Sequence, residues 1–293
     1  MIELKNDILK VNISKDKGSQ LSNIIKNNKE YIWQKDAYYF DASSPLLFPI
    51  IGRLKDNKYI YDNKEYSLNI HGFCNSGLKN LDLIEHTSNR AVFELMYNEF
   101  TLNLYPFKFK LHVIYELVKN TVQITYKVYN LDDKKIYFQI GAHTAFNCPL
   151  DNNEFDDYYL EFEKEENLNT FRLNEKGLIL DDKEFIENGK EINLDYNLFD
   201  KDALIFNNLN SSYVYLKSKK NNSKIKCNFS NFPYLAFWTQ REDNKKGKFI
   251  CIEPWSGIAD YHDSNYILKN KKTINTLDID KVYENSYSLE FID

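Results

Sequence analysis

One segment constrains the fold more than any other: FKFKLHVIYELVKNTVQITYKVYNLDDKKIYFQIGAH, residues 107–143. Phe107, Phe109, Leu111, Val113, Tyr115 and Leu117 recur at every second position, so they share one face of an extended chain. A helix cannot line up residues at that spacing. Lys119-Asn120 reads as a tight turn, and Val122, Ile124, Tyr126 and Val128 alternate on the return arm. Beyond 130–134 a third arm, Ile136–Ile140, leads to His143. The pattern predicts a three-stranded antiparallel meander with one face on a core.

The same signal recurs along the chain. Ile2 and Leu4, then Ile8, Val11 and Ile13, flank a turn at Asn6-Asp7. Lys58–Leu68 reads as a Tyr-rich hairpin around Asp62-Asn63-Lys64. Further strands are expected at Tyr158–Glu163, Asp202–Phe206, Ser212–Ser218, Lys224–Ser230, Tyr234–Gln240, Lys248–Trp255 and Asn285–Ile292. No long amphipathic helix competes. The 22 Tyr and 20 Phe agree with a strand-rich protein. A chain of 293 residues is long enough for about two domains. It contains no Pro/Gly-rich linker, composition break or repeat, so one all-β domain, 1–293, is expected: a large, mostly antiparallel sandwich or barrel.

Charge and cysteine usage exclude several classes. A net charge of −5 argues against nucleic acid, which requires a basic face. The basic run Lys217–Lys224 is interleaved with Asn and Ser and reads as a solvated loop. The four cysteines form no C-x-x-C pair. The N-terminal stretch has charges throughout and no apolar signal core, and no segment approaches the roughly 18 apolar residues of a membrane span. A cytoplasmic protein with reduced thiols and no membrane partner is expected. Nothing in the sequence specifies an oligomeric state.

Four stretches combine a functional side chain with tight backbone punctuation. Arg53 follows the apolar run Leu46–Ile51; His71 precedes Gly72; His143 lies in GAHTAFNCP; Glu253 sits inside the apolar strand FICIEPW. Each has a bland reading. A histidine near a strand end is often structural, Arg53 could serve an ion pair, and strict alternation could turn Glu253 to solvent. A carboxylate on an apolar strand is nonetheless costly unless paired or functional. Together two histidines, a glutamate and an arginine could form a general acid–base site. They could also form a two-His, one-Glu metal site, but metal-binding sets include a short spacing, and here the intervals are 72 and 110 residues. His86, His112 and His262 lack such settings, and His112 is expected on the opposite face from Leu111 and Val113.

Taken in order, SPLLFPIIGRLKDNKY, HGF, GAHTAFNCP and FICIEPWSGIAD resemble the aldose 1-epimerase (galactose mutarotase) family, in its LacX-like branch. The matches run from about Pro45 to Asp260. The resemblance implies a galactose mutarotase-like β-supersandwich and cofactor-free, metal-free interconversion of the α- and β-anomers of an aldose. By motif, Glu253 would be the base at the anomeric hydroxyl, O1, and His143 the acid at the ring oxygen, O5. His71 would steady the ring-oxygen side, Arg53 and Asp202 would bind sugar hydroxyls, and Trp238 or Trp255 would supply an apolar wall. The branch usually reads His-Pro in the second histidine motif, whereas this chain has His143-Thr144. Threonine relaxes the restriction proline places on the preceding residue and adds a hydroxyl. Two alternatives share the fold: a non-catalytic carbohydrate-binding protein, and a hexose-6-phosphate mutarotase, for which Arg53 and Lys55 would both have to face the phosphate.

Overall fold

In the computed structural model, residues 1–75, 81–151, 153–242 and 245–292 are described, apart from the side chains of Glu242 and Lys245. The alternating segment forms two ten-residue strands, Phe109–Val118 and Thr121–Asn130, paired antiparallel from Phe109↔Asn130 to Val118↔Thr121. Lys119, at φ +54°, makes the turn. His112 lies on the face away from the core and pairs with Glu94 at 2.8 Å.

The third arm departs from expectation. Ile136–Phe138 leaves this sheet and pairs with Asn275–Leu277, and the open edge of Thr121–Asn130 is taken by the C-terminal strand Val282–Ile292. The connection is held away from a tight turn. The Asn130 side-chain amide donates to the carbonyls of Lys134 and Leu277, and the buried Asp132 carboxylate accepts from the Lys108 amide. Periodicity specifies that a segment is a strand, not which neighbour it takes.

Nine antiparallel strands form the large sheet. Their order is Ile179–Asn193, Tyr158–Leu173, Tyr213–Ser218, Lys224–Asn228, Val282–Ile292, Thr121–Asn130, Phe109–Val118, Arg90–Met96 and Asp82–His86. The facing sheet runs Leu204–Asn207, Tyr234–Trp238, Phe249–Trp255, Gly141–Ala142 and Leu46–Leu47, with Thr144–Asn147 also paired to Phe249–Trp255. One core joins the inner faces. Leu111, Val113, Val214 and Leu289 from the large sheet cluster with Phe237, Ile250 and Ile252 from the other. The rings of Phe162 and Phe237 meet edge to face across the interface, 6.2 Å between centroids. The result is a β-sandwich, as the strand pattern predicts, with a four-stranded N-terminal sheet alongside.

Two details differ from the sequence reading. Ile179–Asn193 carries charges on both faces and gives no alternation. It is the outermost strand of the nine, where charged side chains guard an open edge. The apolar run Leu46–Ile51 contributes only Leu46 and Leu47 to a sheet. The Phe48–Pro49 peptide is cis and Gly52 adopts φ +67°, so the chain bends while remaining buried. Among the described residues no helix is long and apolar enough to cross a membrane. The four cysteines are free and buried.

Candidate active site

The strand Phe249–Trp255 is buried along its whole length, and Glu253 is 1% exposed. Ile250 and Ile252 point into the shared core; Cys251, Glu253 and Trp255 occupy the opposite face. Alternation therefore does not carry Glu253 to solvent, because loops cover that second face as well. Register supplies its partner. Gly141 lies opposite Trp255 and Thr144 opposite Ile252, and the same register places His143 across from Glu253. The two side chains meet with His143 Nε2 3.5 Å from Glu253 Oε2. On the other flank Glu253 faces Ala236, whose single methyl leaves the carboxylate room.

His71 arrives from a bend. It adopts φ +64° and the next residue, Gly72, φ +74°. A Cβ on Gly72 would lie 2.3 Å from the Phe48 carbonyl oxygen, so only glycine fits there. The His71 amide donates to the Gly52 carbonyl at 3.0 Å, and the Gly52 amide donates to His71 Nδ1 at 3.1 Å. Accepting at Nδ1 fixes the proton of the neutral ring on Nε2. The rings of His71 and His143 stand nearly perpendicular, 5.6 Å apart.

These groups open into one cleft of about 520 Å³, whose lining includes Arg53, His71, His143, Asp202, Trp238 and Glu253. These six share it with Trp255, the other aromatic wall candidate of the sequence, whose indole N–H donates to the Ala142 carbonyl. Arg53 is exposed to the cleft and makes no hydrogen bond or ion pair with a described side chain; its stem lies across Gly177, where a Cβ would come within 3.1 Å of Arg53 Cδ. Asp202 precedes the Leu204–Asn207 strand rather than starting it. It adopts φ +81° and accepts the Ala203 amide at 2.8 Å. Lys55 turns away: its ammonium donates to the Ser264 carbonyl and stands over the Tyr266 ring.

Sequence reasoning missed Phe40. Its ring stacks on His143 at 5.0 Å and 23°, and meets Trp238 edge-on at 5.4 Å. The cluster AYYF, residues 37–40, was the available signal, but four residues of loop have no period to read. Gln240 and Arg241 also line the cleft, with Arg241 3.2 Å from Asp200, and nothing in their local sequence marks them.

Enclosure sets the charge states. Burial, and secondarily the nearby Asp202 charge, pushes the Glu253 carboxyl well above its ordinary range. Burial pulls His143 down to about 3. Burial, reinforced by His143 and Arg53, likewise pulls His71 well down. Asp202 is raised by the protein crowded around it, against its bond from the Ala203 amide and the attraction of Arg53. Enclosure thus favours a protonated carboxyl beside a neutral imidazole. Glu253 Oε2 and His143 Nδ1 are buried and make no hydrogen bond to a described protein group, so both remain available to a bound polar molecule. The Cys251 sulfur joins His143 and Glu253 in a set of ligand-type atoms within 4.8 Å of one another. Burial pushes that thiol well above its ordinary value.

Thr144 faces the sandwich interior, where its hydroxyl is 2.7 Å from the Ser44 hydroxyl. That buried hydrogen bond ties the residue after His143 to the Ser43-Ser44 segment.

Comparison with known proteins agrees with this architecture. The aldose 1-epimerase family model matches residues 1–276. The plasmid-borne protein LacX of Lactococcus lactis subsp. lactis is 36% identical in an alignment that covers 93% of each chain. The crystal structure of a galactose mutarotase related enzyme from Lactobacillus acidophilus superposes with a TM-score of 0.93 at 30% identity, over 99% of this chain and 97% of that one. A galactose mutarotase-like protein from Lactobacillus casei superposes at 0.92 and 28% identity over the whole of both. With its sandwich fold and its ordered motifs converging on one cleft, the chain belongs to the aldose 1-epimerase family.

Proposed function

We propose that the cleft interconverts the α- and β-anomers of an aldose by general acid–base catalysis. The observation that carries this reading is the cross-strand pair: Glu253 and His143, 3.5 Å apart, enclosed, with polar atoms left unpartnered. Mutarotation needs one group to take the proton from O1 while another protonates O5. A pair that holds one proton between its members can do both. Desolvation favours keeping that proton on Glu253. The bound sugar presents O1–H to the carboxyl oxygen and O5 to the imidazole, which favours moving the proton across to His143. Glu253 as carboxylate then takes the O1 proton as His143 delivers its own to O5. The C1–O5 bond breaks, the aldehyde forms, and rotation about C1–C2 exposes either face to reclosure. The reverse transfers restore the starting charges. Each positioned group is worth about 10²–10⁴-fold.

His71, with its proton on Nε2, hydrogen-bonds the ring-oxygen side. Arg53 and Asp202 bind hydroxyls, and Trp238 with Phe40 provides the apolar wall. The charge pattern favours a neutral sugar over a phosphorylated one. Lys55 is committed elsewhere and Arg241 is paired with Asp200, so among the described residues lining the cleft Arg53 is the one cation without an ion-pair partner. Polarimetry on freshly dissolved α-glucose and α-galactose tests the reading: wild type accelerates the approach to equilibrium, and Glu253→Gln loses at least about 10²-fold. A wild type that binds these sugars without accelerating mutarotation would instead be a carbohydrate-binding protein.

A further inference from the structure

The segment after Trp255 bears on the cleft although none of its carboxylates enters it. Asp260 is 4% exposed, and its carboxylate makes two separate contacts. Oδ1 pairs with the Lys271 ammonium at 2.9 Å, itself enclosed, and Oδ2 accepts the Lys55 amide at 3.0 Å. The Asp260 backbone adds two more bonds. Its amide donates to the Arg53 carbonyl at 2.8 Å, and its carbonyl accepts the Ile179 amide at 2.9 Å. Just before it, Ala259 packs so closely on Gly52 that a Cβ there would lie 2.6 Å from the Ala259 methyl.

These contacts bracket Arg53 from both sides. The bonds to the Arg53 carbonyl and the Lys55 amide fix its backbone. The bond to Ile179 anchors the end of the turn whose Gly177 supports the Arg53 stem. Arg53 has a long side chain and makes no ion pair of its own with a described residue, so its placement depends on this bracket. An ion pair this enclosed is a poor source of net stability, since desolvating both charges offsets their attraction. A place where two enclosed charges are kept at that cost calls for another reason.

We infer that Asp260, held by Lys271, is the positioning residue for Arg53, and so sets sugar affinity from outside the cleft. The inference rests on the proposed sugar site but not on its chemistry. In Asp260→Asn, the neutral amide gives up the charged bond to Lys271 and loses one of its two acceptor oxygens. Arg53 then samples more orientations, and binding weakens while the Glu253–His143 pair is undisturbed.

The test is a cycle of Arg53→Ala and Asp260→Asn with saturation kinetics on the best aldose. Asp260→Asn is expected to raise KM about tenfold with kcat within about threefold, and to add less than about twofold to KM once Arg53 is alanine. A fall in kcat at unchanged KM, or an undiminished effect in the Arg53→Ala background, overturns the inference. If Asp260→Asn alone does not fold because Lys271 is stranded, Asp260→Asn/Lys271→Met removes both charges and is read against the same expectations. Should wild type bind sugar without turnover, the catalytic proposal fails. The same cycle is then read as Kd from the fluorescence of Trp238 and Trp255, with the same criteria.

Discussion

The opposed shifts of Glu253 and His143 make a prediction about stability that does not depend on identifying the substrate. His143 has its pKa depressed on folding, from an ordinary 6.5 to about 3. Such a histidine stabilises the fold above pH 6.5, and that contribution is lost as pH falls, because the unfolded chain binds a proton the folded one refuses. Glu253 is raised on folding. Its contribution is present below the ordinary carboxyl value and is lost as pH rises through its folded value. Below about pH 6.5 and above the ordinary carboxyl value, wherever the raised Glu253 keeps its proton, the folded pair holds one proton, on Glu253, and the unfolded pair also holds one, on His143. The two slopes cancel, and in wild type the pair contributes almost no pH dependence in that window. Glu253→Gln removes one half of the cancellation. The remaining His143 then costs about 2 kcal/mol of stability between pH 7 and pH 5, with a slope approaching 1.4 kcal/mol per pH unit. His143→Gln exposes the opposite slope, a gain in stability on acidification. His71, depressed by burial first and by His143 second, adds an acid loss shared by wild type and Glu253→Gln, and so drops out of that comparison. Urea unfolding at half-unit intervals from pH 5 to 7 gives the curves directly. If Glu253→Gln follows wild type in parallel across that range, the two groups are not titrating as a single enclosed pair, and the proton economy assigned to the site is wrong.

Two further outcomes are expected. Thr144→Val removes the 2.7 Å bond to the buried Ser44 hydroxyl and should cost about 0.5–1.5 kcal/mol in urea unfolding, with Thr144→Ser restoring most of it. Gly72→Ala forces a left-handed backbone on an L-residue and drives a methyl to 2.3 Å from the Phe48 carbonyl, so it should destabilise by at least about 2 kcal/mol and lower activity through His71.

What the sequence disclosed follows from which physical signals are local. Alternation marks a strand with one buried face, so Phe109–Val118 and Thr121–Asn130 were legible almost to the residue. It does not name a neighbour, and Ile136–Phe138 was assigned to the wrong sheet for that reason. It fails altogether at Ile179–Asn193, where an edge strand exposes most of both faces. The site divided along the same line. Arg53, His71, His143 and Glu253 stood out because each interrupts an apolar or tightly turned stretch, and they share one cleft. The direction in which Glu253 points was not legible, since it depends on loops that close over the outer face of the sheet. Phe40 and the Asp260–Lys271 pair could not be read, because each owes its place to partners distant in sequence.

The ladder that sets His143 against Glu253 has a further consequence. Strand register changes only in whole residues, and a slip of one would send either side chain to the opposite face of the sheet. The spacing between the two groups therefore cannot drift by small backbone adjustments as it could between two loops. The pair behaves as a latch with two settings, engaged or absent. Its integrity reports on the pairing of strands 110 residues apart, so a preparation that retains the pair has also closed the central strands of its sheet.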